Sequence, residues 1–211
     1  MRNEKFQPPE PFIGGATFHV QLGHLATSRA LSCEACPLYQ NATQTVFGEG
    51  PRNTKIVLLG EQPGDAEDRE GRPFVGPAGR LLNRALTQAG LDREKCYVTN
   101  AVKHFKWEPR GKRRLHQKPN GREIAACRPW WQAELKIIQP RCLVCLGGTA
   151  ARAVFEREVK VLRERGSIVE TPWAERTLIT IHPSSLLRLR DSHDKEREFA
   201  RFVREVALIV K

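Results

Sequence analysis

Short continuous apolar runs alternate along the chain with longer segments whose apolar residues recur at helical spacing. The runs predict strands buried on both faces: residues 55–60, 96–102, 142–146 and 177–181. Each run precedes a segment that predicts a helix: residues 77–90, 121–138, 150–155 and a last helix whose buried stripe runs from Phe199 to Val210. A more polar segment, residues 159–169, is typical of an antiparallel strand.

This alternation predicts the fold class. Repeats of strand, loop and helix form a parallel sheet covered by helices on both faces, so the chain is expected to be an α/β protein. Ligands bind outside the carboxyl ends of such strands, and three loops are therefore expected to lie side by side: residues 61–76, 100–116 and 182–187. Residues 1–211 are interpreted as one domain with an irregular arm at residues 1–15.

The charge of the chain restricts its partners. Lys and Arg outnumber Asp and Glu by 35 to 24, which gives a formal net charge of +11 and an isoelectric point near 9.8. This balance favours a polyanion, with nucleic acid first and an acidic membrane surface second. The sequence has no apolar run of about 18 residues and no secretory signal core near its start, so we expect a cytoplasmic monomer without a membrane partner.

One strongly basic segment, Arg110-Gly-Lys-Arg-Arg-Leu-His116, follows the second predicted strand. Its four cationic side chains repel one another unless an anion lies across them, so the segment suits a phosphate backbone. A solvated surface loop with an incidental histidine is the alternative. Composition alone does not choose between the two.

The six cysteines include two Cys-x-x-Cys pairs: Cys33/Cys36 and Cys142/Cys145. Strand residues an odd number of positions apart point to opposite faces, so the second pair is interpreted as buried apolar side chains and not as metal ligands. The first pair lies in a loop and is free to converge on a metal. Two further ligands are needed, and Cys127 and His104 are the candidates. By spacing alone, zinc and an iron-sulfur cluster suit this set equally.

Four motifs, in order along the chain, resemble those of one enzyme family: Gly60-Glu-Gln-Pro-Gly-Asp65, Gly71-Arg-Pro-Phe-Val-Gly-Pro-Ala-Gly79, Thr99-Asn-Ala-Val-Lys103 and His182-Pro-Ser-Ser-Leu-Leu187. Over residues 30–210 they are similar to the uracil-DNA glycosylase superfamily, and especially to its iron-sulfur branch, family 4. Gln62 and His104 depart from that branch, which has alanine and cysteine there. These departures and the inserted Lys-Arg-Arg-Leu-His segment resemble the X-type branch (UdgX), where isoleucine replaces Leu115.

The resemblance implies a three-layer αβα sandwich around a short, mainly parallel central sheet. This agrees with the pattern of strands and helices. It also implies a [4Fe-4S] cluster with a structural role, which decides against zinc. The implied ligands are Cys33, Cys36, His104 and Cys127. The implied partner is uracil-containing DNA, with single-stranded DNA favoured and free uracil as a product.

The resemblance further assigns contacts to the substrate. A flipped-out uracil stacks on an aromatic ring and is bound at its Watson-Crick edge. Phe74 is the implied ring and Asn100 pairs with O4 and N3–H, although alone they would be interpreted as a core aromatic and a turn residue. Backbone amides in the loop after the first strand bind the uracil oxygens, and the substrate-binding residues there are Gln62, Gly64 and Asp65. Gln62 holds either the loop or the uracil, and the sequence does not choose between them. Phosphate contacts fall to Lys112, Arg113, Arg114 and Ser184.

Three residues are implied in catalysis. The departing uracil gains negative charge while the sugar gains positive charge, so the site must stabilise both. His182 donates to uracil O2, and Glu61 stabilises the sugar, positions water or acts as a base. In the X-type branch the residue that matches His116 attacks C1′ and forms a covalent protein-DNA adduct. That attack requires a neutral imidazole with one free nitrogen.

Three hypotheses follow. The first is a glycosylase that excises uracil once and traps itself through His116. The second is an ordinary multiple-turnover enzyme in which water attacks and His116 only contacts the backbone. The third is a DNA-binding module without activity, and the joint presence of Glu61, Phe74, Asn100 and His182 disfavours it.

Overall fold

The computed structural model describes residues 32–210, so the predicted arm at residues 1–15 lies outside it. Within this range the α-helices and strands follow one another along the chain as β1 (Ile56–Gly60), α1 (Asp65–Glu70), α2 (Pro77–Gln88), β2 (Tyr97–Asn100), β3 (Trp107–Arg110), β4 (Arg113–His116), α3 (Gly121–Ile138), β5 (Cys142–Leu146), α4 (Gly148–Phe155), α5 (Val161–Glu164), β6 (Ile168–Thr171), β7 (Ala174–Thr180), α6 (Pro183–Leu187) and α7 (Ser192–Ala207).

The central sheet has the strand order β2-β1-β5-β7-β6 in the described part of the chain. Strands β2, β1, β5 and β7 are mutually parallel, and β6 pairs antiparallel with β7. The carboxyl ends of four strands therefore lie at one edge. The prediction of a mainly parallel sheet is confirmed. The antiparallel strand predicted at residues 159–169 is wrong in its bounds, because Val161–Glu164 form helix α5 and the strand that pairs antiparallel is Ile168–Thr171.

Alternate strand residues enter two separate apolar layers, which gives the three-layer αβα sandwich that the sequence predicts. Cys145 packs in one layer with Trp131 of α3, and Cys142 packs in the other with Leu86 of α2 and Phe202 of α7. Both cysteines are buried, and they lie on opposite faces of the sheet. Their interpretation as apolar core residues is confirmed.

Helix α3 has the predicted bounds because its start is capped from both sides. The side chain of Asn120 accepts from the amide of Glu123 at 3.0 Å, and the Glu123 carboxylate accepts from the amide of Asn120 at 2.7 Å. Such a capping box satisfies amides that have no partner within the helix. No helix within residues 32–210 has both the length and the apolar character needed to cross a membrane.

All three predicted loops contain regular structure, and the one at residues 182–187 forms the short helix α6. The segment at residues 61–76 includes the short helix α1, and the basic segment forms an antiparallel pair of strands, β3 and β4, in which Trp107 is opposite His116. We call residues 107–116 the basic hairpin. Its strands were missed because a short run of charged side chains has no apolar periodicity from which to predict a strand.

Candidate active site

A cleft of about 510 Å³ opens at the carboxyl edge of the sheet. The three loops that the sequence places side by side converge on it, together with the end of β4. The loop after β1 contributes Glu61, Gln62, Gly64 and Asp65 to its lining. The other predicted residues in the lining are Phe74, Asn100, His116, His182 and Ser184. The predicted phosphate ligands Lys112, Arg113 and Arg114 lie on the basic hairpin, outside this lining.

Phe74 and Asn100 meet beside Gly60 at the end of β1. A Cβ atom at position 60 would overlap both the ring of Phe74 and Oδ1 of Asn100, so glycine is required there. Phe74 has a φ of 58°, a left-handed conformation that costs a non-glycine residue about 1–3 kcal/mol and is concentrated at functional sites. Asn100 is buried, and its Oδ1 has no hydrogen-bond partner among the described residues. A buried acceptor of this kind calls for a donor from a ligand.

His182 is neutral and has a defined tautomer. Its Nδ1 accepts from the amide of Ser184 at 3.2 Å and lies 2.8 Å from the hydroxyl of the same residue. Burial lowers the pKa of His182 to about 4. The proton of the neutral ring is therefore on Nε2, which makes His182 a hydrogen-bond donor in the cleft.

Glu61 connects the end of β1 to two other elements. One carboxylate oxygen lies 3.3 Å from Nε2 of His116, and the other accepts a hydrogen bond from the hydroxyl of Thr149. Burial by itself raises the pKa of Glu61, but the hydrogen bonds from His116 and Thr149 outweigh it, and the pKa lies below its ordinary value. Glu61 is thus an ionised carboxylate beside His116, the histidine of the basic hairpin.

Thr149 is a residue of this site that sequence reasoning missed. It lies in the first turn of α4, directly after β5. Because β5 lies between β1 and β7 in the sheet, the loop that follows it must open at the same edge as Glu61 and His182. The strand order was the signal that could have found Thr149, and it is not readable from apolar runs alone.

Gln62 holds the basic hairpin. Its side-chain nitrogen donates to the carbonyls of Lys106 at 3.2 Å and Gln117 at 3.0 Å, and its oxygen accepts from the amide of Lys106 at 3.2 Å. These residues flank the two strands of the hairpin. Of the two roles left open for Gln62, the structure shows the contact with the hairpin.

Arg114 joins the basic hairpin to α1. Its guanidinium is paired with Asp65 and, at 2.6 Å, with Asp68, and it lies 5.4 Å from the ring centre of Trp107. The side chain is only 14% exposed. Its predicted phosphate contact stays a prediction, and it would require these ion pairs to open. Lys112 and Arg113 are exposed.

A family model described as the Uracil DNA glycosylase superfamily matches residues 47–207. The chain belongs to the uracil-DNA glycosylase superfamily. It is 39% identical over 173 residues to a type-4 uracil-DNA glycosylase of Thermotoga maritima, with 82% of this chain and 86% of the relative covered. A type-4 uracil-DNA glycosylase of Sulfurisphaera tokodaii is 34% identical over 189 residues, with 86% and 83% covered. A type-5 uracil-DNA glycosylase of Pyrobaculum aerophilum is 27% identical over 192 residues, with 75% and 81% covered.

In this member of the uracil-DNA glycosylase superfamily, a second group of side chains has the chemistry of a metal site. The side chains of Cys33, Cys36, His104 and Cys127 are all buried. The Cys127 thiol first, and then His104, lower the pKa of Cys36 to about 5, which favours the thiolate form that binds metals.

The two ring nitrogens of His104 are arranged as in a metal-binding histidine. Its Nε2 lies 3.1 Å from the hydroxyl of Thr45, whereas Nδ1 is buried and has no hydrogen-bond partner among the described residues. A metal-ligating histidine uses one ring nitrogen for the metal and the other for a hydrogen bond, as here. Cys33 accepts a hydrogen bond from Nε1 of Trp130 at 3.3 Å. The donor types and burial of the four residues suit a metal or an iron-sulfur cluster, and Cys36 interacts with both Cys127 and His104.

Proposed function

We propose that this protein excises uracil from DNA. The observation that carries the proposal is the buried Oδ1 of Asn100, which has no hydrogen-bond partner within residues 32–210 and which uracil N3–H would satisfy as a donor. Phe74 lies in the same cleft and supplies a ring on which the base stacks. Similarity to the relatives from Thermotoga maritima and Sulfurisphaera tokodaii, both type-4 uracil-DNA glycosylases, supports the same activity.

The bond between C1′ and N1 of uracil breaks with both electrons leaving on the base. Nε2–H of His182 donates to uracil O2, where the negative charge develops. The Glu61 carboxylate stabilises the positive charge that develops on the sugar. The neutral state of His182 suits this role, since its pKa of about 4 keeps the ring a donor without a competing charge near Glu61.

We further propose that His116 then forms a covalent bond to the sugar, as in the X-type branch. The lone pair of the ring nitrogen that does not face Glu61 forms the new bond to C1′. The proton on the ring nitrogen that faces Glu61 passes to the carboxylate, 3.3 Å away, and leaves a neutral alkylated imidazole. Support comes from this short separation and from Gln62, which holds the hairpin that carries His116.

Ordinary turnover is the second candidate. Here water attacks C1′, Glu61 positions the water, and His116 contacts the DNA backbone. The similarity to type-4 uracil-DNA glycosylases supports this alternative. In both candidates the exposed cations Lys112 and Arg113 bind phosphates, with single-stranded DNA favoured because its bases need no extrusion from a duplex.

His116→Ala distinguishes these candidates. The wild-type protein is incubated with uracil-containing single-stranded DNA, and the products are analysed for free uracil and on a denaturing gel. We expect a heat- and detergent-resistant shifted band from the wild type and none from His116→Ala. A resistant band from the variant would show that another residue is the nucleophile. Free uracil without any shifted band from the wild type would establish ordinary turnover. If the wild type gives neither free uracil nor a shifted band, the protein binds DNA without excising uracil.

We also propose that Cys33, Cys36, His104 and Cys127 hold a [4Fe-4S] cluster. When bound, the cluster supplies a structural cross-link and takes no part in breaking the glycosidic bond. Its ligands come from the segment before β1, the segment after β2 and the middle of α3. The cluster would therefore fix α3 against the segment that follows Asn100.

Cys127→Ala is expected to lower the iron and acid-labile sulfide content of the purified protein strongly, because it removes one of the four ligands. The matched control is Cys145→Ala, which also removes a fully buried thiol but lies in β5. The control is expected to keep the iron and sulfide of the wild type. Equal loss in both variants would contradict the ligand assignment, and a wild-type preparation that contains zinc and no iron would contradict the cluster.

A further inference from the structure

The loop after β5 enters the active site between two catalytic side chains. Gly147 has a φ of 91°, and a Cβ atom there would lie 2.8 Å from Cβ of His182, so the backbone passes directly against that histidine. The next turn brings Thr149 to Glu61. The carboxyl ends of β1, β5 and β7 thus deliver Glu61, Thr149 and His182 to one place.

The carboxylate of Glu61 is held at both oxygens. One oxygen is 3.3 Å from Nε2 of His116, and the other accepts from the hydroxyl of Thr149. Thr149 is itself only 1% exposed, and its β-branched side chain has few rotamers in a helix. The hydroxyl therefore provides a rigid donor on the side of Glu61 opposite His116. Without it the carboxylate would be held at one oxygen alone, by His116.

We propose that Thr149 is a positioning residue that orients the Glu61 carboxylate toward His116 and the sugar. This role rests on the proposed function, because it assumes that Glu61 acts on the sugar. Thr149 does not contact the reacting atoms itself. It acts through the hydrogen bond, in the way that the third member of a catalytic triad orients its neighbour.

The same hydrogen bond affects the ionisation of Glu61. The titratable groups that act on Glu61 are His116 and His182, and the positive charge of Arg188 contributes to the lowered pKa of His182. A donor to the carboxylate stabilises its charged form and lowers its pKa. Removal of the hydroxyl raises that pKa. Since the ionised form is the active one, the loss of rate on acidification then begins at a higher pH.

The test compares Thr149→Val, which is nearly isosteric but cannot donate, with Thr149→Ser, which keeps the donor. The first-turnover rate of uracil release is measured against pH and against the concentration of uracil-containing single-stranded DNA. We expect Thr149→Val to lower the maximal rate by about 10- to 100-fold, the effect of a hydrogen bond to a charged group. The acidic limb of its pH–rate profile should move to higher pH, and its half-saturating DNA concentration should stay unchanged. Thr149→Ser should restore most of the rate.

The outcomes separate two failures. A wild type that releases no uracil overturns the proposed function and this role with it. If the wild type is active and Thr149→Val has the same rate and the same pH–rate profile, only the role of Thr149 is overturned. Equal losses in the valine and serine variants also overturn it, because they indicate a packing defect. If the valine variant does not fold, Thr149→Ala takes its place in the comparison with serine.

Discussion

Glu134→Gln is expected to lower the free energy of unfolding by about 3–5 kcal/mol, the cost of removing one partner from a buried ion pair. Glu134 and Lys103 are 5% and 0% exposed, and their charged atoms are 2.7 Å apart. The Glu134 carboxylate also accepts from the hydroxyls of Thr99 at 2.8 Å and Tyr97 at 3.2 Å, and from the amide of Gly48 at 3.0 Å. Glutamine has one oxygen and no charge, so the Lys103 ammonium would stay buried without its counter-ion.

Denaturant unfolding of the two proteins measures this loss. The double variant Lys103→Met, Glu134→Gln removes the ammonium as well and keeps an acceptor for the buried donors of Gly48, Tyr97 and Thr99, so it is expected to recover much of the stability. A second control is Glu175→Gln at the exposed ion pair of Glu175 with Arg141, where the loss should be below about 1 kcal/mol. A loss at Glu134 no larger than at Glu175 would show that the buried pair does not stabilise the fold.

This buried network lies between the two sites. Tyr97 and Thr99 belong to β2, the strand that ends at Asn100, and the amide of Lys103 donates to Sγ of Cys127 at 3.5 Å. Glu134 lies on α3, the helix that also carries Cys127. This polar network therefore connects the strand that ends at Asn100 with the helix that carries Cys127.

Most of the fold could be predicted from the sequence because strands buried on both faces consist of continuous apolar residues. Strands β1 and β5 are continuous apolar runs, and residues of the long helix repeat at helical spacing, as in Trp131 and Leu135. The odd spacing of Cys142 and Cys145 was enough to place them on opposite faces. Such signals are local, since each depends on a few neighbouring positions.

Pairings between distant residues leave no such local signal. The ion pair of Lys103 with Glu134 was not predicted. A carboxylate on the apolar face of α3 needs a buried partner, but the sequence does not say which cation supplies it. The ion pairs of Arg114 with Asp65 and Asp68 join segments whose approach depends on the folded hairpin. The role of His116 came from a family resemblance, and its separation of 3.3 Å from Glu61 is a property of the folded chain alone.

Glu61→Gln is expected to slow the first-turnover release of uracil by about 10²–10³-fold, the usual effect of removing one preorganised electrostatic contact to the transition state. In the proposed mechanism the carboxylate stabilises the positive charge on the sugar. The pKa of Glu61 lies below its ordinary value because its hydrogen bonds from His116 and Thr149 outweigh the effect of burial. The charge is therefore present at neutral pH. Glutamine keeps the shape and an oxygen for Thr149 but removes the charge.

Single-turnover assays with saturating protein measure the rate, and the half-saturating concentration of DNA should change little because Asn100 and Phe74 still bind the base. Glu61→Asp is the matched control, since it keeps the charge on a shorter side chain and should retain more activity than glutamine. Glutamine also cannot take the proton from His116, so the covalent band should fall with the release of uracil. If Glu61→Gln released uracil as fast as the wild type, the carboxylate charge would have no part in breaking the bond, and His182 would be left as the main electrostatic contribution.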